Sequence, residues 1–598
     1  MSASLPADLP LPASAASLPF AAVAVAVALA ALLLLPLAVV VLPVLRTKLG
    51  FIAMERRLAH IPSPPRPPNA SALGFFFRGH TAAMEEFVNM GFAPVLLGYR
   101  DEYANPLLRY RFFLGEPRVL ITKPEHVRHV AVTRQGIYQK PAFLVRVTES
   151  LLGKTSIVLA TDDAHRRLKK VVHPAFHFDA VLSCAPAFLA EARRTVDLLL
   201  EHAALPPAAD PRWVPDGKDP AVARVVADPR ESIPPVDFSS LAGSLAMRVV
   251  GVTGFGYRES EEEDREFLRE YRAQLEFSPG GRYIIARIMI PKWIFAAVVP
   301  AEAEQDRRKE KVRAGLKRLI QRRRDEMAAA AAAKGGGAEV RSDLLTMMLR
   351  ANMEGDAVLT EDELVDQAQT FMTAGQVTTA ATISFVIMEV TRDPAIRERL
   401  VKEIDPLAAS ILKPRAEAGA LLTEDDAECK ALLKQLDELP YLEAVVKEAL
   451  RVYPPATLTP REALEDDYID GVFIPKGVTV TVPMHMIMID PTIWGPDAAK
   501  YRPERWLDPA TGQLATPTKA QAMAYMPFLH GPRSCIGSRF ALYEAKVAVA
   551  ALFSAFVVER PDDFVEPKLS GMVPIPQKMG IRFVPRPDNI AAAAAAAV

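Results

Sequence analysis

Cysteine is scarce in this sequence, which contains only Cys184, Cys429 and Cys535 among its 598 residues. Because the number is odd and the spacings are wide, a disulfide framework is not expected and a reducing compartment is. We expect Cys184 to be a small buried hydrophobic side chain. Cys429, in the charged stretch EDDAECKALLK, is expected to be an inert surface or half-buried thiol. Cys535 calls for a separate explanation.

The sequence also lacks an excess of charge of either sign. Its 71 Lys and Arg residues nearly balance its 72 Asp and Glu residues, which leaves a formal net charge of −1. A nucleic-acid partner is therefore not predicted, because polyanions are bound by basic surfaces. The hydrophobic content of 50% with 24% charged residues is ordinary for a globular protein that also carries a membrane segment.

Charge is completely absent from residues 18–45, a run of 28 apolar or small residues. About 20 such residues suffice for a transmembrane helix. A cleaved signal peptide is the alternative, but its apolar core runs only about 7–15 residues and follows a basic start. Here the basic residues Arg46, Lys48, Arg56 and Arg57 come after the run. Because positive residues stay cytosolic, we predict an uncleaved anchor with residues 1–17 in the lumen.

The rest of the chain reads as one large domain with small interruptions. We predict mainly α structure with small β-sheets (α+β), with two strands and a helix in LLRYRFFLGEPRVLITKPEHVRHV. The predicted divisions are a basic, proline-rich linker (46–72), a catalytic domain (73–587), insertions near 205–235 and 328–337, and an alanine-rich tail (588–598). The first insertion contains eight prolines and the second is low-complexity, so we expect a surface loop and a mobile connector. The tail is expected to be a weakly ordered end.

A long helix is predicted from LTEDELVDQ onward. Thr360 and Glu363 have the spacing of a capping box, and Asp393-Pro394 ends the pattern. The middle of this helix contains poor helix formers, so we expect it to be locally weak there and of functional interest. These residues are Gly375, Thr373, Thr378, Thr379 and Thr382.

A charge pair is predicted in YLEAVVKEALRVYPP. Glu448 and Arg451 are three residues apart and so share one helix face. The surrounding residues indicate a mostly buried helix, where a charge pair has to be fully partnered. Arg505, in YRPERW, is a candidate third member; a plain surface ion pair is the alternative.

Cys535 lies in FLHGPRSCIG (528–537), directly before a strongly helical run. Gly531 and Gly537 allow a tight turn and close approach to a flat ligand. The start of the following helix favours a thiolate, which is a good ligand for a soft or borderline metal. No second Cys or His lies at zinc spacing, so one thiolate with a macrocycle, as in haem, fits better.

Four motifs together resemble the cytochrome P-450 superfamily. FLHGPRSCIG matches its Phe-x-x-Gly-x-Arg-x-Cys-x-Gly haem-ligand signature at every fixed position. The others are Glu448-x-x-Arg451, Pro503-Glu504-Arg505-Trp506 and Ala374-Gly375-x-x-Thr378-Thr379, in the family's order. The resemblance covers roughly residues 73–587 outside the insertions and, with the anchor, looks like a microsomal eukaryotic member. It implies the cytochrome P-450 fold, with a long central helix and a Cys-ligand loop.

The resemblance implies a haem b cofactor and a role for each matching residue. Cys535 would be the axial thiolate and the metal ligand. The other cofactor-binding positions would be Phe528, Gly531, Arg533, Gly537, Arg461, Lys169 and His165. The catalytic oxygen groove would comprise Ala374, Gly375, Thr378 and Thr379. Glu448, Arg451 and Arg505 would form a structural charge triad.

This sequence departs from the family pattern at two places. The usual Trp-x-x-x-Arg appears as His165 to Lys169, so a lysine would replace the arginine at a haem propionate; a solvated basic helix face is the alternative. Arg166, Arg167 and Lys170 would then be available to dock an acidic redox partner. Val377 stands where the family usually has an acid before the threonine. Thr378 could still bond the Ala374 carbonyl, leaving proton delivery to Thr378 and water.

The leading functional prediction is a monooxygenase in the endoplasmic reticulum membrane, with its catalytic domain in the cytosol. Its expected partners are NADPH-cytochrome P-450 reductase, membrane lipid and a lipophilic small molecule. Only about 60 residues follow Cys535, so no fused flavin domain is expected. The alternatives are an oxygen-independent isomerase or dehydratase of lipid peroxides, favoured by Val377, and a non-catalytic haem protein. Substrate contacts are expected near residues 142–158, 283–293, 456–459 and 573–575, but the substrate itself is not determined.

Overall fold

The structure is a computed structural model. It describes residues 42–64, 105–112, 115–204, 233–257, 262–276, 283, 286–287, 290, 292–332, 343–354, 359–414, 427–567, 569–570 and 573–595. Residues 1–41, which include most of the predicted anchor, and most of the predicted insertion at 205–235 lie outside the described residues.

The first part of the described chain carries short strands and helices. Its elements are α1 (Leu42–Arg57), β1 (Leu107–Arg111), β2 (Pro117–Ile121), α2 (Pro124–Arg128), β3 (Tyr138–Gln139), α3 (Ala142–Leu152), α4 (Asp162–Val172), α5 (Phe178–Leu182) and α6 (Ala185–Ala203). The two strands and the helix predicted around residue 117 are therefore confirmed as β1, β2 and α2.

The central part is almost wholly helical. Its elements are β4 (Val236–Asp237), α7 (Phe238–Phe255), α8 (Glu262–Glu276), α9 (Lys292–Val298), α10 (Pro300–Ala332), α11 (Leu344–Glu354), α12 (Glu361–Val390), α13 (Pro394–Ile404), α14 (Ala408–Leu412), α15 (Ala427–Asp437) and α16 (Pro440–Val452).

The last part mixes strands with short helices and one long helix. Its elements are β5 (Thr459–Ala463), β6 (Asp467–Ile469), β7 (Val472–Ile474), β8 (Thr479–Val482), α17 (Met484–Met488), α18 (Pro491–Trp494), α19 (Lys519–Ala524), α20 (Ser538–Ala555), β9 (Phe556–Glu559), β10 (Leu569–Ser570), β11 (Ile575–Pro576), β12 (Gly580–Pro585) and α21 (Pro587–Ala595).

Four small sheets border the helices of the described chain. The largest has the strand order β1-β2-β8-β5-β3, and the others are β4-β12-β9, β6-β7 and β10-β11. In the largest sheet β2 and β8 run parallel, with Val119 opposite Val480, while the other neighbours are antiparallel. The mainly helical fold with small sheets predicted from the sequence is confirmed.

Helix α12 is the central element of the core and packs against α7, α3, α10, α16 and α20. Two described helices, α7 and α12, are long and apolar enough to cross a membrane, but 72% of each apolar window is buried inside the protein. Both are therefore core helices. Their hydrophobic character follows from burial on nearly all sides.

Helix α12 begins with the predicted capping box, in which Thr360 and Glu363 each accept a backbone N–H from the other residue. It ends before Asp393, whose side chain caps the next helix. The poor helix formers in its middle do not interrupt it, because α12 is continuous over Glu361–Val390. Thr378 makes the predicted bond, donating from Oγ1 to the Ala374 carbonyl at 2.7 Å.

Two alanine-rich segments are more ordered than we predicted. Residues 328–332 of the predicted mobile connector form the end of α10, and the tail forms α21 up to Ala595. Alanine is the strongest helix former, and α21 is also anchored by packing. Ala593 is fully buried, and Asn589 donates to the Ser554 carbonyl at 2.9 Å. The prediction of a weakly ordered tail was wrong for these residues.

The prediction for Cys429 was also wrong. The side chain lies on the inner face of α15 and is 1% exposed, in the main hydrophobic core. The charged neighbours in the sequence occupy the outer face of the same amphipathic helix. Cys184 is only half-buried.

Candidate functional site

A cavity of ≈ 430 Å³ lies between α12, the loop before α20 and the loop between α3 and α4. Most of its lining side chains are apolar, including Phe371, Leu450, Phe528 and Phe540. The volume falls within the range of about 300–1,000 Å³ that is typical of small-molecule sites. Five basic side chains interrupt the apolar lining at one end.

Cys535 lies on the wall of this cavity. Its backbone N–H donates to the Phe528 carbonyl at 2.9 Å, which closes the loop that holds it. Helix α20 begins at Ser538 with Gly537 as its cap, so the thiol lies just before the helix as predicted. Burial nevertheless raises the pKa of the Cys535 thiol, and the Gly537 N–H only partly opposes this. Helix position alone therefore does not give a thiolate, whereas a bound metal deprotonates a coordinating thiol outright.

Gly531 and Gly375, which were predicted to belong to the site, allow close packing of the backbone more than close approach of a ligand. Gly531 has a φ of +84°, as the tight turn requires, but its Cα faces the Ala131 backbone and it does not line the cavity. A Cβ on Gly375 would lie 2.7 Å from Val250 of α7. The absence of a side chain at Gly375 therefore lets α7 approach α12. Of the three glycines predicted for the site, Gly375 and Gly537 line the cavity and Gly531 does not.

The basic end of the cavity is formed by Lys140, His165, Lys169, Arg461 and Arg533, and no Asp or Glu of the described residues lines the cavity. Lys169 donates to the Pro532 carbonyl at 3.0 Å, and Arg461 donates to the Pro460 carbonyl at 2.8 Å. Arg533 donates to the Ala160 carbonyl. The Nη1 of Arg533 is buried without a hydrogen-bond partner among the described residues.

Crowding of like charges and burial disfavour the protonated forms at this end. Burial, then Arg533, lowers the pKa of Arg461 to about 10. Burial, followed by the charges of Arg533, Lys140 and Lys169, lowers the pKa of His165 to about 4. Burial is also the main reason that the pKa of Lys140 lies well below its usual range. The electrostatics of this end are those of a site for an anionic group.

Lys140 is the basic residue that the sequence analysis missed. It follows β3, in GIYQKPAF, far in sequence from the other cations, and its Nζ donates to the Val158 carbonyl. No local pattern distinguishes it from a surface lysine, so only the tertiary structure shows its place. Val250, Thr253, Leu344 and Met347 of α7 and α11 also line the cavity and were missed, because they follow the ordinary pattern of core helices.

The α12 wall of the cavity includes the four predicted residues Ala374, Gly375, Thr378 and Thr379, together with Thr370, Phe371 and Thr382. The Thr379 hydroxyl is buried and has no hydrogen-bond partner within the part of the chain that is described. Val377 is half-buried and is not part of the lining.

The structure brings Glu448, Arg451 and Arg505 together in the core. Both oxygens of Glu448 accept from Arg451 at 2.8 Å, and Arg505 Nε donates to Oε1 at 3.2 Å. Trp506 Nε1 adds a bond of 2.9 Å to Glu448. The side chains of Glu448 and Arg451 are fully buried. Arg451 also donates to the carbonyls of Met488 and Ala498 in the segments that follow.

Within the described residues, no group of three or more His, Cys, Asp or Glu side chains could hold a metal ion. Cys184 lines the same cavity as Cys535. Its Sγ lies 3.5 Å from the Ala180 carbonyl, and burial raises its pKa to about 12. The cavity therefore offers single thiols and no multidentate protein cage.

Comparison with known proteins decides the family. Residues 90–581 match the cytochrome P450 family. This chain belongs to the cytochrome P450 family. Similar proteins include cytochrome P450 monooxygenase ALT8 of Alternaria alternata, which is 27% identical over 76% of this chain and 78% of its own length. Cytochrome P450 monooxygenase 205 of Postia placenta is 24% identical over 88% of this chain and 91% of its own length.

Members of the cytochrome P450 family are haem-thiolate enzymes, so the cofactor is haem b and the chain is a monooxygenase of the oxidoreductase class. The residues of the cavity fit this group. Its basic end has surplus positive charge, and the buried Arg533 Nη1 has no hydrogen-bond partner among the residues that the structure describes, as expected of a site for carboxylates. The remaining lining is largely apolar and includes a thiol. The cationic end suits the two propionates of haem, and the apolar lining with a thiol suits its flat apolar macrocycle and its iron.

Proposed function

We propose that this P450 is a membrane-anchored monooxygenase that inserts one atom of O₂ into a lipophilic small molecule. The two electrons would come from NADPH through a separate reductase. The observation that carries the proposal is the combination, in one cavity, of a thiol, a cationic end and a largely apolar lining. The family supports oxygenation, and the lining supports an apolar substrate.

Cys535 is the proposed iron ligand, with Phe528 next to it and Gly537 in the adjoining backbone. Arg533, Arg461, Lys169, Lys140 and His165 would hold the propionates. An arginine can pair with a carboxylate through two N–H groups, whereas Lys169 and Lys140 act as point charges. Glu448, Arg451 and Arg505 would support the haem-side scaffold without touching the reacting atoms.

A Lys140→Gln variant should release haem about tenfold faster than the wild type, because a charged hydrogen bond of roughly 1.5–3 kcal/mol is lost. The rate is measured by transfer of haem to excess apomyoglobin. Lys170→Gln is the matched control, since Lys170 is exposed on α4 and does not line the cavity. Equal rates of haem release in the two variants would show that Lys140 does not hold a propionate.

Thr378 is the proposed proton-handling residue. Haem, when bound, supplies activation of dioxygen; Thr378 presents a hydroxyl to the cavity from α12 while donating to Ala374. In this arrangement the hydroxyl oxygen can accept a hydrogen bond from cavity water. Because Val377 precedes Thr378, no carboxylate stands next to it in the sequence, and no Asp or Glu of the described residues lines the cavity.

Thr378→Val should lower the product formed per NADPH oxidised several-fold and increase the release of hydrogen peroxide, because a hydroxyl that orders water is lost. Thr382→Val is the control, one turn later on α12, where the hydroxyl donates to the Thr378 carbonyl at 3.0 Å. The control should keep near-normal coupling of NADPH to product. If both variants couple as the wild type does, Thr378 has no role in proton handling.

The membrane and redox assignments rest on surface features. The predicted anchor leads directly into α1, which exposes Leu45 and Leu49, and we place the chain in the endoplasmic reticulum membrane.

The basic surface of α4 is the proposed docking site for an acidic reductase. Lys170 is exposed there, whereas Arg167 is paired with Glu363 of α12 and holds the two helices together.

An oxygen-independent isomerase or dehydratase of lipid peroxides is the second candidate, because Val377 replaces the usual acid. The deciding experiment is turnover with and without NADPH and a reductase. Substrates are first found by spin-state shifts of the purified protein against a lipid library. The monooxygenase proposal expects turnover only with both components, and full turnover of a lipid peroxide without them would overturn it.

A further inference from the structure

The segment between α3 and α4 forms part of the cavity wall through Ile157 and Val158. It is held by side chains of α12 through a series of hydrogen bonds. Thr373 Oγ1 donates to the Leu151 carbonyl at 3.2 Å, and Thr370 Oγ1 donates to the Leu152 carbonyl at 2.6 Å. This series runs along the N-terminal half of α12, before the catalytic residues proposed above.

Gln367 makes the contact nearest to the lining residues. Its side chain is fully buried, its Oε1 accepts from the Ile157 N–H at 2.8 Å, and its Nε2 donates to the Thr155 carbonyl at 2.9 Å. One side-chain amide therefore pairs with two backbone groups of the same turn-containing segment. The pairing fixes the backbone position of Ile157 directly.

Asp366 makes a second buried attachment beside it. Its Oδ2 accepts from both the N–H and the Oγ1 of Thr155 at 2.8 Å, and its Oδ1 is paired with Arg313 of α10. Gly153 has a φ of +83°, and a Cβ there would overlap the Asp366 carboxyl group. The segment thus passes directly against α12, and the Asp366 carboxylate connects it to both α12 and α10.

The same segment reaches the cationic end of the cavity. The Val158 carbonyl accepts from Lys140, and the Ala160 carbonyl accepts from Arg533. A displacement at Thr155 or Ile157 is therefore transmitted within a few residues to the cavity lining. Buried polar side chains of this kind are otherwise costly in a core helix, and their bonds here go to a cavity-lining segment.

We propose that Gln367, supported by Asp366, is a positioning residue that sets which ligands fit above the haem. It does so by holding Ile157 and Val158 in the cavity wall. The proposal rests on the function proposed above only in requiring a haem in this cavity. Gln367 touches neither ligand nor haem and acts through the backbone that it holds.

Gln367→Met tests this, with Gln376→Met as the matched control. Gln376 is buried on the same helix, but its Nε2 donates to the Gly243 carbonyl of α7. We expect the Ile157 amide of Gln367→Met to exchange hydrogen about fivefold faster, as loss of a hydrogen bond of roughly 1 kcal/mol predicts. Gln376→Met should leave this rate unchanged.

The ligand readout uses imidazole and the bulkier phenylimidazole, whose binding to the haem is followed by absorbance. In Gln367→Met we expect the dissociation constant of phenylimidazole to change by about tenfold, and that of imidazole to change little. A purely structural defect would instead weaken both ligands alike or reduce the haem content. Unchanged amide exchange and an unchanged ratio of the two constants would overturn the proposal.

A milder variant keeps the test decisive if Gln367→Met fails to fold. Thr155→Val removes only the Oγ1 bond to Asp366, and we expect a smaller shift of the same ratio. A normal thiolate-type carbon monoxide spectrum in that variant, with no shift of the ratio, would refute the positioning role while leaving the haem site intact. Absence of that spectrum in the wild type would instead count against the haem-thiolate assignment itself.

Discussion

A Cys535→Ser variant is expected to lose the thiolate-type Soret band of the reduced carbon monoxide complex, together with NADPH-dependent oxygenation. Cys535 lies on the cavity wall just before α20, and its backbone is fixed by the bond to Phe528. A serine hydroxyl preserves this geometry but is a poor substitute for a thiolate, which donates electron density to the iron. Absorbance of the reduced, carbon-monoxide-treated protein measures the effect.

Cys184→Ser is the control for this experiment, because Cys184 is a second thiol on the same cavity. Its Sγ lies 3.5 Å from the Ala180 carbonyl, and Cys184 stands outside the FLHGPRSCIG signature. We expect the thiolate spectrum to persist in this variant. A normal spectrum in Cys535→Ser, with loss of the spectrum in Cys184→Ser, would transfer the ligand role to Cys184.

Glu448→Ala is expected to lower the free energy of unfolding by about 3–5 kcal/mol, because Arg451 would be left as a buried charge without its partner. Glu448 also accepts from Arg505, Trp506 and the Arg502 backbone N–H, so donors from four residues lose their acceptor together. The expected phenotype is little haem-loaded protein, measured as the ratio of haem to protein after purification.

The exposed ion pair of Glu428 with Lys413 provides the comparison. Glu428→Ala should change the free energy of unfolding by no more than about 0.5 kcal/mol, as for surface substitutions in general. A Glu448→Ala protein that is as stable and as haem-loaded as Glu428→Ala would rule out the structural role of the charge cluster.

Interactions between residues within one helical turn of each other could be predicted from the sequence. The capping box of Thr360 and Glu363 depends on residues three apart, and the back-bond of Thr378 depends on one helical turn. The approach of Glu448 to Arg451 follows from helix periodicity. Helix periodicity does not connect Arg505 to this pair, because more than fifty residues separate it from Glu448. Its place in the cluster was predicted from the motif Pro503-Glu504-Arg505-Trp506.

What could not be predicted depends on contacts between distant segments. Lys140 and Gln367 have no local signature, because their partners Val158, Thr155 and Ile157 lie elsewhere in the chain. The alanine-rich tail was predicted to be weakly ordered because of its low complexity. It instead forms a helix, since alanine has a high helix propensity and Ala593 is buried.

Iron-edge X-ray absorption of the purified, haem-loaded wild type tests the central claim most directly. The account predicts one sulfur atom bonded to the iron, and predicts that this sulfur signal disappears in Cys535→Ser but persists in Cys184→Ser. A wild-type iron bound only by nitrogen and oxygen atoms would contradict it.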